Sequence, residues 1–226
     1  MKRSSVDHLV VLATDLEQGV AWCQATLGIA PGAGGAHPLM GTHNRLLSLA
    51  SSGHPTAYLE IIAIDTAARP LLTPGHARWF DMDDPALQAR VALHGPQLVH
   101  FVAGVADIAA GVAALAIQGI DRGVVLPASR ETPTGLLQWQ ISVRNDGQRL
   151  FDGCLPTLIQ WGDRHPTQTM AASGIALEDL QVFHPTADTL RDAYHALDLS
   201  SVSTHTGPAQ IRARLRTPKG LVSLHS

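Results

Sequence analysis

The fold is decided by two short stretches of similar sequence, Val6–Val11 (VDHLVV) and Leu98–Ala103 (LVHFVA). Their histidines lie 92 positions apart, and so do Asp15 and Asp107, which follow the two stretches. Each stretch has the apolar character of a strand, and each Asp is suited to begin a helix whose apolar residues come at helical spacing. The chain therefore repeats a unit that starts with a strand and continues with a helix.

Further strand-like runs follow each predicted helix. In the first copy they are residues 45–49 and 57–64, and in the second they are residues 136–143 and 157–161. We predict an α+β protein in which two tandem βαβββ modules form a cupped mixed sheet, with a partial third module at the C-terminus. The predicted organisation is a first module in residues 1–66, a Pro- and Gly-containing linker in 67–96, a second module in 97–165 and a partial βαββ module in 166–226.

Composition limits the classes of partner. A hydrophobic fraction of 45% with 15% charged residues predicts a packed core. The net charge of −3 and the absence of any long Lys/Arg run argue against nucleic acid as a partner. No apolar run approaches the ~20 residues that span a bilayer, so we expect no membrane partner and a cytoplasmic location.

The order of five motifs resembles the vicinal oxygen chelate superfamily, and within it the glyoxalase-like proteins related to bleomycin-resistance proteins and extradiol dioxygenases. These motifs are Asp7–Val11, Gly41–Asn44, Tyr58–Ile62, Leu98–Phe101 and Leu158–Trp161. The resemblance implies that metal ligands come from the first and last strands of each module, which here places them at His8, Glu60, His100 and Gln160. It implies a divalent ion such as Zn, Ni, Co, Mn or Fe(II).

This ligand set is chemically reasonable, because strand alternation lets one inward side chain from each of four strands converge at the centre of the cup. Imidazole, carboxylate and amide groups suit a borderline divalent ion. The alternative is a degenerate site that keeps these residues and binds an organic ligand. The third module has Asp179 where the others have histidine, so we expect no metal site there.

Further residues are candidates for contact with a substrate. Alternation directs Asn44 to the pocket side of its strand, and it places Gln138 and Gln140 together on one face of theirs, which is either the pocket face or a solvated one. His37 and His43 flank a Gly- and Pro-containing loop. Two arginines, Arg130 and Arg144, are either anion-binding groups or ordinary surface residues.

The resemblance implies a metal-dependent lyase or isomerase that binds a small substrate through vicinal oxygens, with Glu60 moving a proton. An Fe(II) extradiol-type dioxygenase using His8, His100 and Glu60 is one alternative. A non-catalytic, resistance-type binding protein with an aromatic cleft is another; its candidate lining is Tyr58, Phe101, Trp139 and Trp161. The presence of the ligand residues favours an enzyme. A homodimer is a possible assembly.

Overall fold

The computed structural model describes residues 3–133 and 135–226. Its strands are β1 (Ser5–Leu12), β2 (Ala36–His37), β3 (Thr42–Ser48), β4 (Tyr58–Ile64), β5 (Gln97–Gly104), β6 (Val124–Thr132), β7 (Gly135–Val143), β8 (Thr157–Trp161), β9 (Ala176–His184), β10 (Ser203–Thr206), β11 (Gln210–Thr217) and β12 (Gly220–His225). Its α-helices are α1 (Leu16–Leu27), α2 (Pro85–His94), α3 (Ile108–Ile117) and α4 (Ala187–Ala196).

The two copies join into one mixed sheet of eight strands. The strand order is β2-β3-β4-β1-β5-β8-β7-β6, with β1 and β5 antiparallel at the seam between the copies. Within each copy the first and last strands are parallel neighbours, β1 with β4 and β5 with β8. The predicted α+β architecture of paired modules with a cupped mixed sheet is confirmed.

The helices begin where the sequence indicates. The Asp15 side chain accepts a hydrogen bond from Gln18 N, and α1 ends at Gly28, which adopts a φ of 83°. The Asp107 side chain accepts from Ala110 N at the start of α3. Because a capping carboxylate satisfies helix N–H groups that have no partner within the helix, these two residues fix where each helix starts.

The C-terminal segment forms a second sheet of four strands, in the order β10-β9-β11-β12. Its apolar residues share one buried cluster with one face of the large sheet, as Leu180 and Ile211 do with Leu9 and Leu59. Burial of each such side chain contributes roughly 1.5–3 kcal/mol. This packing covers the outer face of the large sheet and leaves the inner face for a site.

The inner face has its own buried cluster, which includes Val10 and Val102 from the two seam strands. Part of the segment predicted as a linker also belongs to it, because Trp79, Phe80 and Leu87 are buried there. The segment between the modules thus folds back across the cup. In the described part of the chain, no helix is long and apolar enough to cross a membrane.

Candidate active site

A small chamber of about 30 Å³ lies on the inner face of the large sheet. Six of its lining residues come from the first module. One is Leu46, and the other five carry polar groups: His8, His37, Asn44, Tyr58 and Glu60. The second module contributes mainly aromatic and aliphatic groups to the opposite wall, which are Trp139, Ile141, Ile159 and Trp161. The polar chemistry of the chamber is therefore concentrated in one of the two modules.

The Glu60 carboxylate is the centre of this polar group and is only 5% exposed. Its Oε1 accepts a hydrogen bond of 2.6 Å from Asn44 Nδ2. Its Oε2 lies 3.6 Å from His8 Nε2, and its Oε1 lies 3.8 Å from His37 Nε2. A buried carboxylate with one strong donor and two imidazoles beside it has the surroundings of a proton-transfer group.

Asp7 fixes the orientation of His8. Asp7 Oδ1 accepts a 2.7 Å hydrogen bond from His8 Nδ1, and Oδ2 accepts from Trp161 Nε1 at 2.8 Å and from His165 Nε2 at 3.0 Å. Burial acts to raise the pKa of Asp7, but the hydrogen bonds from His165 and His8 outweigh it and hold the pKa below its ordinary value. An ionised Asp7 keeps the proton of His8 on Nδ1 and leaves Nε2 toward Glu60.

His37 is neutral in these surroundings because burial lowers its pKa to about 4. Its Nδ1 lies 3.0 Å from Thr42 Oγ1, and its Nε2 accepts a 3.3 Å hydrogen bond from Asn44 Nδ2. Asn44 is itself held by Gly35 N, which donates to its Oδ1 at 2.8 Å. The predicted substrate-contacting residues His37 and Asn44 are thus placed in the chamber wall beside Glu60.

His100 does not share the chamber with His8. Its Nδ1 donates to Gly153 O at 2.9 Å, and its Nε2 accepts from Thr157 N at 3.1 Å. Burial, together with the positive charges of Arg122 and Arg149, lowers the pKa of His100 well below its ordinary value. Both ring nitrogens are occupied by protein groups, so His100 has no lone pair left for a metal ion.

Gln160 does not face the chamber either, because its Oε1 accepts a 2.8 Å hydrogen bond from Ile108 N at the start of α3.

Strand pairing identifies a different counterpart for Glu60. Glu60 is paired with Val10, two residues after His8, and Thr157 is paired with Val102, two residues after His100. The sequence alignment therefore differs from the structural one by three positions, an odd number that reverses the face of the strand.

The four predicted ligands consequently do not converge on one point. His8 and Glu60 face the chamber, whereas the side chains of His100 and Gln160 are hydrogen-bonded to backbone groups. Within residues 3–133 and 135–226, no group of three or more His, Cys, Asp or Glu side chains is arranged to hold a metal ion. The residues present do not fit the four-ligand metal centre.

The remaining predicted contacts lie outside the chamber. Gln138 and Gln140 are exposed, since β7 turns Trp139 and Ile141 inward instead. His43 Nδ1 is 4.0 Å from Asp65 Oδ2, and His43 does not line the chamber. The candidacy of Gln138 and Gln140 as substrate contacts is therefore corrected. Of the two alternatives for β7, they lie on the solvated face, because the apolar face of that strand is the one that packs into the cup.

A second, larger cavity of about 730 Å³ adjoins the chamber and shares Leu46 and Arg130 with it. His165 and Arg164 line this cavity beside apolar groups such as Leu137 and Met170. The volume is typical of a small-molecule site. Arg144 lies outside both spaces and forms ion pairs with surface carboxylates.

Sequence reasoning missed three groups: Trp79 and His165, which line these spaces, and Asp7, which is hydrogen-bonded to His8. A signal for Asp7 existed, because the second copy has Val99 at the corresponding position and the motif difference marks the first copy as special. Nothing comparable marks Trp79 or His165, which come from segments that composition indicates only as connections between modules.

The cupped sheet of paired modules, with its site on the inner face, defines a protein of the vicinal oxygen chelate fold. A family model described as "Glyoxalase-like domain" matches residues 6–197. The chain belongs to this glyoxalase-like family.

Solved structures match the chain at low sequence identity. A hypothetical protein from Staphylococcus aureus superposes with a TM-score of 0.62 at 14% identity, over 92% of this chain and 88% of that one. A variant of the Streptomyces coelicolor methylmalonyl-CoA epimerase in complex with 2-nitronate-propionyl-CoA matches with a TM-score of 0.44 at 19% identity, over 71% of this chain and 96% of that one. No curated protein matches the sequence.

Proposed function

We propose that this protein is an enzyme of the lyase or isomerase type that moves a proton on a small, oxygen-bearing substrate, with Glu60 as the base. One observation carries the proposal. The Glu60 carboxylate is buried in a chamber that adjoins a cavity of substrate size, with Asn44 Nδ2 at 2.6 Å from Oε1 and His8 Nε2 at 3.6 Å from Oε2.

The chemistry follows from these neighbours. Glu60 accepts a proton from a carbon next to a carbonyl group, and the electron pair of the C–H bond moves onto the carbonyl oxygen. Asn44 holds the carboxylate in place, and His8 offers the lone pair of Nε2 because Asp7 keeps its proton on Nδ1. Where the deprotonated carbon bears a hydroxyl group, its hydroxyl proton passes to the carbonyl oxygen and Glu60 returns its proton to the former carbonyl carbon, which gives an isomerase. Loss of a neighbouring leaving group from the enolate gives a lyase.

The predicted divalent ion does not enter these steps. Of the four ligands that the resemblance implies, only His8 and Glu60 present atoms to the chamber. The dioxygenase alternative needs His100 on the same ion, and the nitrogen atoms of His100 are already hydrogen-bonded to Gly153 and Thr157. Neither ligand set fits the arrangement of these side chains.

A non-catalytic binding protein is the second candidate. It is favoured by the adjoining cavity of about 730 Å³, much of whose wall is apolar. The two candidates differ in one respect, because only the enzyme requires Glu60 to exchange a proton with its ligand.

The test is hydrogen exchange followed by proton NMR in D2O. Small hydroxyketones and 2-oxo acids are incubated with the wild type, with Glu60→Gln and with Glu17→Gln, a matched control at an exposed position of α1. We expect the wild type and the control to replace a C–H proton of at least one compound with deuterium, and Glu60→Gln to lose that exchange. Equal exchange in all three proteins would refute the role of Glu60.

Metal dependence is measured on the wild type and on His100→Gln by plasma mass spectrometry, and on the wild type by repeating the exchange after chelation. We expect exchange to survive chelation and the metal content of His100→Gln to equal that of the wild type. Exchange that disappears with a bound ion, and returns when it is restored, would contradict the metal-independent proposal.

A further inference from the structure

Two hydrogen-bond donors in the chamber wall have no role in the proton transfer by Glu60. Trp79 Nε1 and Arg130 Nε are both buried, and neither has a hydrogen-bond partner among the residues that the structure describes. Both residues line the same chamber as Glu60. Because a buried donor without a partner is unfavourable, two of them beside one carboxylate need an explanation, and a bound acceptor group is a direct one.

We propose that Trp79 and Arg130 bind the carbonyl oxygen of the substrate and stabilise the negative charge that develops on it. This inference rests on the proposed function of Glu60 and deepens it, because it assigns the electrophilic half of the reaction. Donors aimed at an oxygen where charge develops are an effective form of transition-state stabilisation. They also supply the polarising role that the predicted metal would have had.

The indole of Trp79 is rigidly held. Its ring stacks on Phe80 at 5.3 Å between ring centroids and meets the edge of His37 at 5.1 Å. The next two residues, Phe80 and Asp81, have positive φ values of 61° and 54°, which residues with a side chain rarely adopt. Backbone strain of this kind concentrates at functional sites and persists where the surroundings enforce it.

The surroundings do enforce this turn. Asp81 Oδ2 accepts a hydrogen bond of 2.9 Å from Arg149 Nε, and Asp81 N donates to Gly147 O at 3.0 Å. Arg149 also donates from Nη1 to Val99 O at 2.7 Å, next to His100. The second module therefore anchors the segment that carries Trp79 into the chamber.

Arg130 stands at the junction of the chamber and the larger cavity, since it lines both. Its Nη1 lies 3.4 Å from Asn44 Oδ1, so it belongs to the same network as Glu60. No carboxylate of the described residues forms an ion pair with it. Gly35 leaves room for the guanidinium, because a Cβ at that position would come within 2.7 Å of Nη1.

The two spaces together suggest the class of substrate. The chamber, at about 30 Å³, accommodates a group no larger than one or two water molecules, such as a carbonyl and its neighbouring carbon. The rest of the molecule lies in the larger cavity, whose walls are mostly apolar. The substrate is thus a carbonyl compound with an acidic C–H next to the carbonyl and an apolar body. Glu60 takes that proton, and the resulting enolate oxygen accepts hydrogen bonds from Trp79 Nε1 and Arg130 Nε.

The test uses oxalate, whose adjacent carboxylate oxygens imitate an enolate, and does not require the substrate. Titration calorimetry gives its Kd for the wild type, Trp79→Phe, Arg130→Gln and Glu60→Gln. Trp22→Phe is the matched control, because Trp22 lies outside the chamber. We expect Trp79→Phe and Arg130→Gln each to weaken binding about tenfold or more, the control to leave it unchanged, and Glu60→Gln to retain or strengthen it.

A spectroscopic measurement separates donation from mere packing. The chain has four tryptophans, so its indole N–H groups give four NMR signals, and Trp79→Phe identifies the one that belongs to Trp79. We expect that signal to move downfield on addition of oxalate. Failure of oxalate to bind the wild type, binding by Trp79→Phe and Arg130→Gln as tight as that of the wild type, or a Trp79 signal that does not move would each overturn the proposal. If Trp79→Phe does not fold, the oxalate Kd of Arg130→Gln decides it.

The two proposals fail in different ways. Oxalate binding that depends on Trp79 and Arg130, combined with no deuterium exchange in any compound, would uphold the oxyanion site and refute the role of Glu60. Exchange that depends on Glu60, with oxalate binding indifferent to Trp79 and Arg130, would do the reverse.

Discussion

The two modules have the same backbone arrangement, but the side chains at corresponding positions have different surroundings. In the first module, β1 and β4 place His8 and Glu60 in the wall of a chamber. In the second, β5 and β8 place His100 and Thr157 against each other, with Thr157 N donating to His100 Nε2 at 3.1 Å. Under the proposed function, the first half of the duplicated fold thus carries the reaction chemistry and the second half supports it.

The supporting half contains a buried positive charge. Arg122 is 2% exposed, donates from Nε to Pro156 O at 2.8 Å and also donates to Thr157 Oγ1. Burial lowers its pKa to about 10, so it remains protonated near neutral pH. In the second module the guanidinium of Arg122 and the neutral imidazole of His100 surround Thr157, which is the counterpart of Glu60. Protein groups therefore occupy the place that corresponds to the carboxylate of the first module.

The largest effect that distinguishes the modules is expected at Glu60 and its counterpart. Glu60→Gln should reduce deuterium exchange about 10²–10⁴-fold, the usual contribution of a general base. Thr157→Val should change the exchange rate of the folded protein by less than about threefold, since Thr157 contacts His100 and Arg122 and does not line the chamber. The measurement is exchange per folded molecule by NMR. Similar losses in both variants would show that the two halves act together in the reaction.

The repeat was sufficient to predict the fold, because strand, helix cap and helix recur at a constant spacing and the caps at Asp15 and Asp107 form as expected. The site was predictable only in the first module. The alignment of Gln160 with Glu60 crosses loops of different length, and an error of three positions along β8 exchanges a side chain that faces α3 for one that faces the cup.

Periodicity has a related weakness in β7. Alternation correctly separates Trp139 from Gln140, but it does not say which set faces inward, and the apolar set does. No local sequence pattern predicts that Trp79 lies in the chamber wall. Proline and glycine around it indicate an irregular connection, and only long-range contacts such as the ion pair between Asp81 and Arg149 bring it back over the sheet.

A second comparison concerns stability. His100→Leu leaves Gly153 O and Thr157 N without their partner beside the Arg122 guanidinium, and we expect the free energy of unfolding to fall by about 3–4 kcal/mol. His8→Leu removes one of three donors to Asp7, and we expect a loss of about 1 kcal/mol. Urea denaturation followed by circular dichroism gives both values. A larger loss for His8→Leu would reverse the assignment of structural and reactive halves.

The acid dependence of stability adds a test inside the first module. His37 has a pKa of about 4 in the folded protein because burial lowers it, against about 6.5 in the unfolded chain. Between these values the unfolded state binds the extra proton, so stability is retained above about pH 6.5 and lost as the pH falls toward 4, by on the order of 3 kcal/mol. In His37→Gln, the free energy of unfolding should fall less steeply between pH 6.5 and pH 4 than it does in the wild type. An unchanged slope would mean that His37 is protonated without penalty.

The smallest effect is expected at Asp7, which the second module replaces with Val99. Asp7→Asn preserves size but cannot hold the Nδ1–H of His8 as a charged acceptor, so the proton can move to Nε2 and remove the lone pair that faces Glu60. We expect deuterium exchange to fall about tenfold. The control is Asp15→Asn, since asparagine caps a helix as well as aspartate does. Exchange equal in the two variants would show that His8 does not depend on Asp7, and the asymmetry between the modules would then rest on Glu60 alone.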